Sequence, residues 1–107
     1  LRVSNSSMPI TQKQKRWLKK QVHHLKPVVS MGQAGLTEAV LKEIEIALDH
    51  HELVKIKIAA DDRDLRDAVV QVIAKKTRSD LIDRIGNRAS FFRGNPEKKN
   101  PMALPSD

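Results

Sequence analysis

Lys26-Pro27-Val28-Val29-Ser30-Met31-Gly32-Gln33-Ala34-Gly35-Leu36-Thr37 divides into three readable parts. Lys26 to Met31 is a short, mostly apolar strand, and its proline stands where a strand needs no ladder hydrogen bond. Gly32 to Gly35 is a Gly-x-x-Gly turn. Two glycines three apart let the backbone bend sharply and meet another molecule without a Cβ in the way. Thr37 then caps a helix, whose free N–H groups attract anions. Strand, tight turn and helix make the first half of a βαβ unit, so this stretch decides the fold class.

The second half lies just downstream. A helix from Thr37 to about His50 carries the apolar stripe Val40, Leu41, Ile44, Ala47 and Leu48, with Glu38, Lys42, Glu45 and Asp49 toward water. Leu53 to Ala59 alternates cleanly, with Val54, Ile56 and Ile58 inward and Lys55 and Lys57 outward. Two strands joined through a helix imply a parallel pair with a right-handed crossover. Asp61-Asp62-Arg63-Asp64 opens a third helix, where acids satisfy free N–H groups and complement the dipole. Leu65, Val69, Val72 and Ile73 keep helical spacing along it, and Lys75, Lys76 and Arg78 sit at its C-terminal end. Leu81 to Ile85, the turn Gly86-Asn87 and Ala89 to Arg93 read as a β-hairpin, with glycine and asparagine supplying unusual backbone angles.

Ahead of the deciding stretch, Ile10-Thr11 offers an N-cap for a helix from Gln12 to about Leu25, which Pro27 forbids to continue. The expected architecture is therefore one α/β (α+β) domain over residues 8–93, with elements in the order α-β-α-β-α-β-β. Residues 1–7 look like an expression remnant before a natural start at Met8. Residues 94–107, rich in Pro, Asn and Lys, are expected to form a mobile tail.

Charge is segregated along the 107 residues. Up to Thr37 the chain carries Arg2, Lys13, Lys15, Arg16, Lys19, Lys20 and Lys26 and no acid. Beyond that point Lys/Arg and Asp/Glu balance, so the formal net charge of +7 resides in the first third. A local positive field of this kind attracts polyanions. On a helical wheel, Trp17, Leu18, Val22 and Leu25 of the first helix fall on one side. Lys13, Arg16, Lys20 and His23 line the other, with Lys15 and Lys19 beside them. Trp17 is read as a core or rim anchor rather than a base-stacking group.

Several function classes recede. No apolar run is long enough to span a bilayer, and no signal peptide is visible. The absence of cysteine removes disulfides, Cys-based zinc sites and thiol nucleophiles, and a cytoplasmic protein fits best. The glycine loop lacks the Gly-Lys-Ser/Thr of a P-loop. His23-His24 and His50-His51-Glu52 contain no i, i+4 histidine pair, so metal binding is disfavoured. His23 is read as a phosphate ligand and His51 as a structural residue at a helix-to-strand corner. No nucleophile-base-orienter set is apparent, so neither enzyme activity nor a cofactor is expected.

Within its own stretch, the Gly-x-x-Gly loop resembles that of KH-type RNA-binding modules, which clamps a nucleic-acid backbone. A wider resemblance runs from about Thr11 to Arg93. It rests on Gln14-Lys15-Arg16-x-Leu18, His23-x-Leu25-Lys26-Pro27-Val28-Val29, Gly32-x-x-Gly35-Leu36-Thr37, His51-Glu52-Leu53-Val54-Lys55-Ile56-Lys57, Asp62-Arg63, Ile85-Gly86 and Phe92-Arg93. These motifs resemble the YhbY family, the stand-alone bacterial form of the CRM domain (chloroplast RNA splicing and ribosome maturation). The resemblance implies three helices on a four-stranded mixed sheet, similar to the C-terminal domain of translation initiation factor three. It also implies RNA binding and association with precursors of the large ribosomal subunit. Two positions depart from the family's pattern. The loop's middle residues, often basic or polar in relatives, are Gln33 and Ala34, and Phe92 stands where a tyrosine is common.

The resulting expectation is a monomeric RNA-binding protein that reads structured RNA, with 23S-type ribosomal RNA or pre-50S particles as partner and no membrane. Lys13, Arg16, Lys20, His23 and Lys26 form its basic surface. Gly32, Gln33, Ala34 and Gly35 present backbone N–H groups to phosphates, and Arg88 and Arg93 on the hairpin add weaker contacts. With few aromatics, recognition should rest on backbone and shape. A DNA-binding module and a protein-interaction module using the same basic helix are the alternatives.

Overall fold

Short-range side-chain chemistry fixes where each helix begins. In the computed structural model, which describes residues 10–32, 34–60, 62–95, 97 and 104–105, Thr11 caps α1 (Gln12–Val22) with a reciprocal capping box. Its hydroxyl accepts from the Gln14 N–H, while its own N–H donates to Gln14 Oε1. Thr37 caps α2 (Glu38–His51) by accepting from Val40 N–H, and Asp62 caps α3 (Arg63–Thr77) by accepting from Asp64 N–H. α1 ends about a turn before the expected Leu25. His24 and Leu25 instead donate to the carbonyls of Gln21 and Val22, closing tight turns that release the chain toward the first strand.

Four strands, β1 (Val29–Met31), β2 (Leu53–Ile58), β3 (Asp80–Ile85) and β4 (Arg88–Phe92), form one mixed sheet in the order β1-β2-β4-β3. β1 runs parallel to β2, as the βαβ reading requires, and β4 is antiparallel to both neighbours. The hairpin thus places its second strand in the middle of the sheet. In its turn only Gly86 takes a positive φ, of 59°; Asn87, expected to share the unusual angles, does not. β1 is shorter than the expected Lys26–Met31, although Val28 still donates to the Lys55 carbonyl.

The sheet is covered on both faces, which splits the core in two. α2 and α3 close one face over Val29, Met31, Val54, Ile56, Ile58, Ala89 and Phe91, to which they contribute Ile44, Leu48, Val70 and Ile73. α1 covers part of the other face, where Leu18 and Val22 pack on Leu53, Ile82 and Phe92. Leu53 shares strand parity with the outward-facing Lys55 and Lys57, yet it is buried because α1 lies over it. A bulge between Leu81 and Asp83 leaves Ile82 unopposed, so that both Ile82 and Asp83 reach the α1 face.

Of the positions expected to share a face of α3, Ile73 is buried and Val69 packs against the core, but the fully buried stripe runs through Val70, Ile73 and Thr77. Leu65 and Val72 stand 53% and 40% exposed. On α2, Glu45 is only half exposed and takes part in an ion pair, so it does not simply face water.

Residues 1–7, expected to be an expression remnant, lie outside the described residues, as do Gln33, Asp61 and most of 94–107. Within that last segment, expected to be a mobile tail, the described residues touch the domain. Asn95 donates from its backbone to Glu52 Oε2 and from its side chain to the Asp49 carbonyl. Leu104 packs with the α1 cluster, and the Pro105 carbonyl accepts from the Gln14 side chain.

Candidate nucleic-acid interface

α1 is amphipathic in charge as well as hydropathy. Seating Leu18 and Val22 on the sheet leaves Lys13, Arg16, Lys19, Lys20 and His23 exposed, and Lys26 is exposed in the connection that follows. Lys15 is half-buried beside Asp80, whose carboxyl pKa burial raises above the ordinary value of 3.8, with the Lys15 charge partly opposing the shift. The exposed side of α1 contains no acidic residue to neutralise its cations.

The glycine loop lies at the C-terminal ends of the parallel strands β1 and β2. Gly35 holds a φ of +85°, so glycine there meets a backbone requirement. Gly32 has no such constraint, and a Cβ at either position would point into open space. The backbone at Gly32 and Gly35 is thus bare and open to close approach. Its supply of donors is smaller than expected. Gly35 N–H donates to the Gly32 carbonyl at 3.1 Å, and Thr37 N–H to the Gly35 carbonyl at 3.1 Å. Glu38 adds a carboxylate in the first turn of α2, which opposes an anion at that helix start. Ala34 is exposed; Gln33 is outside the described residues.

The structure brings His23 and Arg88 together. Both line a shallow cleft of about 110 Å³ on the α1 face, with Val22, Lys55, Asp83, Ile85 and Ser90. Lys55 lines this cleft and Lys57 lies opposite Arg88 on the same face of the sheet; neither was among the residues expected to bind. The alternation of β2 signalled that they point away from the main core. What one sequence could not show was that they share a face with the basic helix.

Arg93 is placed elsewhere. It follows β4 at the end of the sheet where Leu53 pairs with Phe92, away from the glycine loop. Its guanidinium bonds Glu45 Oε1 at 2.6 Å, the Thr77 carbonyl at 2.7 Å and Asp49 Oδ1 at 2.9 Å. These bonds join α2 to the end of α3, and they make Arg93 a framework residue with both terminal guanidinium nitrogens engaged. Among the described residues there is no group of three or more His, Cys, Asp or Glu side chains placed to hold a metal ion, and no helix long and apolar enough to cross a membrane.

Comparison with known proteins matches this geometry to a family. A family model described as the CRS1 / YhbY (CRM) domain matches residues 10–93, the folded unit from the cap of α1 to the residue after β4. The chain is 47% identical over 96 residues to a Pseudomonas aeruginosa protein named "Probable RNA-binding protein", covering 90% of this chain and 92% of that one. It is 43% identical over 90 residues to a Haemophilus influenzae protein named "RNA-binding protein", covering 84% and 91% respectively. A solution structure of a hypothetical Staphylococcus aureus protein, described as a candidate RNA-binding protein, superimposes with a TM-score of 0.77 at 28% identity over 91% of this chain and 100% of that one. The chain accordingly belongs to the CRS1 / YhbY (CRM) domain family.

Proposed function

We propose that this protein binds structured RNA, and that its target is the ribosomal RNA of large-subunit precursors during assembly. The observation that carries RNA binding is the cationic side of α1, whose exposed lysines and arginine have no ion-pair partner among the described residues, held by its apolar side against a sheet whose neighbouring open surface is also basic. Phosphate contacts of this kind supply affinity without sequence information. The aromatic side chains favour the same mode. Phe91 and Phe92 are buried and Trp17 is partly buried against the α1 cluster, which leaves little aromatic surface for base stacking. Recognition then rests on backbone and shape, as suits folded RNA. Relatives bearing RNA-binding names support the reading, and the ribosomal assignment follows from the resemblance to the YhbY family.

Sedimentation of a cell lysate tests the assignment. The protein is expected in fractions containing large-subunit precursors and is expected to leave them when salt is raised. Migration only with free small proteins at low salt would rule out the ribosomal target.

A further inference from the structure

The sheet carries a row of residues that the fold alone does not explain. Across the open part of the α1 face, Ser30 pairs with Lys57, Lys57 with Arg88, and Arg88 with Ile85. The row therefore crosses all four strands. Directly opposed residues in a sheet have Cβ atoms about 5 Å apart, and like charges in that relation are destabilising. Lys57 and Arg88 stand in that relation, both exposed, and neither has an ion-pair partner among the described residues. Lys55 lies on the same strand face one pair away, opposite Ser90. On the same face of the sheet, Asp83 lies opposite Ser90 on the far side of β4, and one of its oxygens already accepts from Arg84 N–H.

We infer that Lys57 and Arg88 form a second phosphate-contact track, continuous with the end of α1 at His23, along which the backbone of the bound RNA crosses the sheet. The inference rests on the RNA-binding reading and adds to it a surface distinct from the basic helix. Two positive side chains held side by side attract the phosphodiester backbone, and its charge offsets the repulsion that folding leaves between them. Ser30, exposed at one end of the row, offers a hydroxyl, and Ile85, 60% exposed at the other, offers an apolar surface to a sugar. β1 leads directly from Ser30 into the glycine loop, so the track ends where bare backbone permits close approach.

The test uses the full chain and a labelled hairpin RNA titrated over a series of salt concentrations. Three proteins are compared: the unaltered chain, Lys57→Gln/Arg88→Gln, and Lys13→Gln/Lys20→Gln. Removing two phosphate-neutralising cations should lower affinity at least tenfold near 0.1 M salt and shrink the log–log salt slope by about 1.4 to 1.8. Thermal melting of the sheet variant should be unchanged or slightly higher, because a repulsive pair has been removed. Weaker binding, a shallower slope and undiminished stability together would support the track. An unchanged slope in the sheet variant, with a reduced one in the helix variant, would overturn the track and leave RNA binding by α1 intact. Failure of the unaltered chain to bind the hairpin would overturn both readings.

Discussion

At the scale of single residues, the two loop glycines differ in kind although the sequence presents them alike. Gly35 has a φ of +85°, a conformation in which any other L-residue is strained, so Gly35→Ala should cost about 1–2 kcal/mol. Gly32 meets no such demand and no neighbour within 4 Å, so Gly32→Ala should melt within a degree or two of the parent. Gly32→Ala is therefore the cleaner probe of function. If RNA backbone approaches the loop, this variant should bind more weakly with its stability intact; unchanged binding would make the loop a structural turn. Arg78 poses the reverse case, a non-glycine residue at φ 56° and ψ 41° ending α3. Arg78→Gly should stabilise the protein by about 0.5–1 kcal/mol, measured by chemical denaturation.

At the scale of elements, α1 and β3 illustrate what charge does to local stability. Replacing Lys13, Arg16 and Lys20 by Gln should leave α1 folded, since its anchors are Leu18 and Val22. The same change should remove about 0.7–0.9 from the salt slope of RNA binding for each phosphate no longer neutralised. At the start of β3, the raised pKa of Asp80 means that the folded state holds this proton more tightly than the unfolded chain. Stability contributed by Asp80 therefore falls as pH rises from the ordinary 3.8 through the raised value. Asp80→Asn should accordingly be neutral or stabilising by up to about 0.5 kcal/mol at pH 7. That gain should vanish below the ordinary carboxylate range, as melts at both pH values would show.

The elements were legible in order and kind because each carries its own local signal: Thr11, Thr37 and Asp62 as caps, alternation in β2, and glycine at the hairpin turn. Their faces were less so. Leu65 and Val72 look like core positions by residue type, but the sheet meets α3 along Val70, Ile73 and Thr77. Leu53 looks outward by parity until α1 covers it. Which side of a sheet a helix takes is set by long-range packing, and that single unknown also hid Lys55 and Lys57. The cations of α1 were visible because helical spacing alone segregates them.

For the whole molecule, the described contacts separate a bound end from an open one. At the end away from the glycine loop, Arg93 ties Glu45 and Asp49 of α2 to the Thr77 carbonyl of α3, and the buried Glu52 receives the Asn95 N–H. At the other end are the bare loop, the hairpin turn and the Lys57–Arg88 pair. Arg93 decides whether the two ends have separate roles, because its place in the sequence beside the last strand equally suits an RNA contact. Its fork serves four acceptors on two elements, which a lysine's single ammonium cannot reproduce in the same geometry. Arg93→Lys should therefore cost about 1–3 kcal/mol. In a domain of this size that lowers the melting temperature by about 4–8 °C for each kcal/mol. RNA affinity, measured well below that transition, should stay near the parent value because the positive charge is kept and the open surface is untouched. Arg93→Ala then separates charge from framework: it should melt lower still and bind the same RNA with an unaltered salt slope. A slope shallower by about 0.7–0.9 in Arg93→Ala would show a phosphate on Arg93 itself and extend the interface to the bound end.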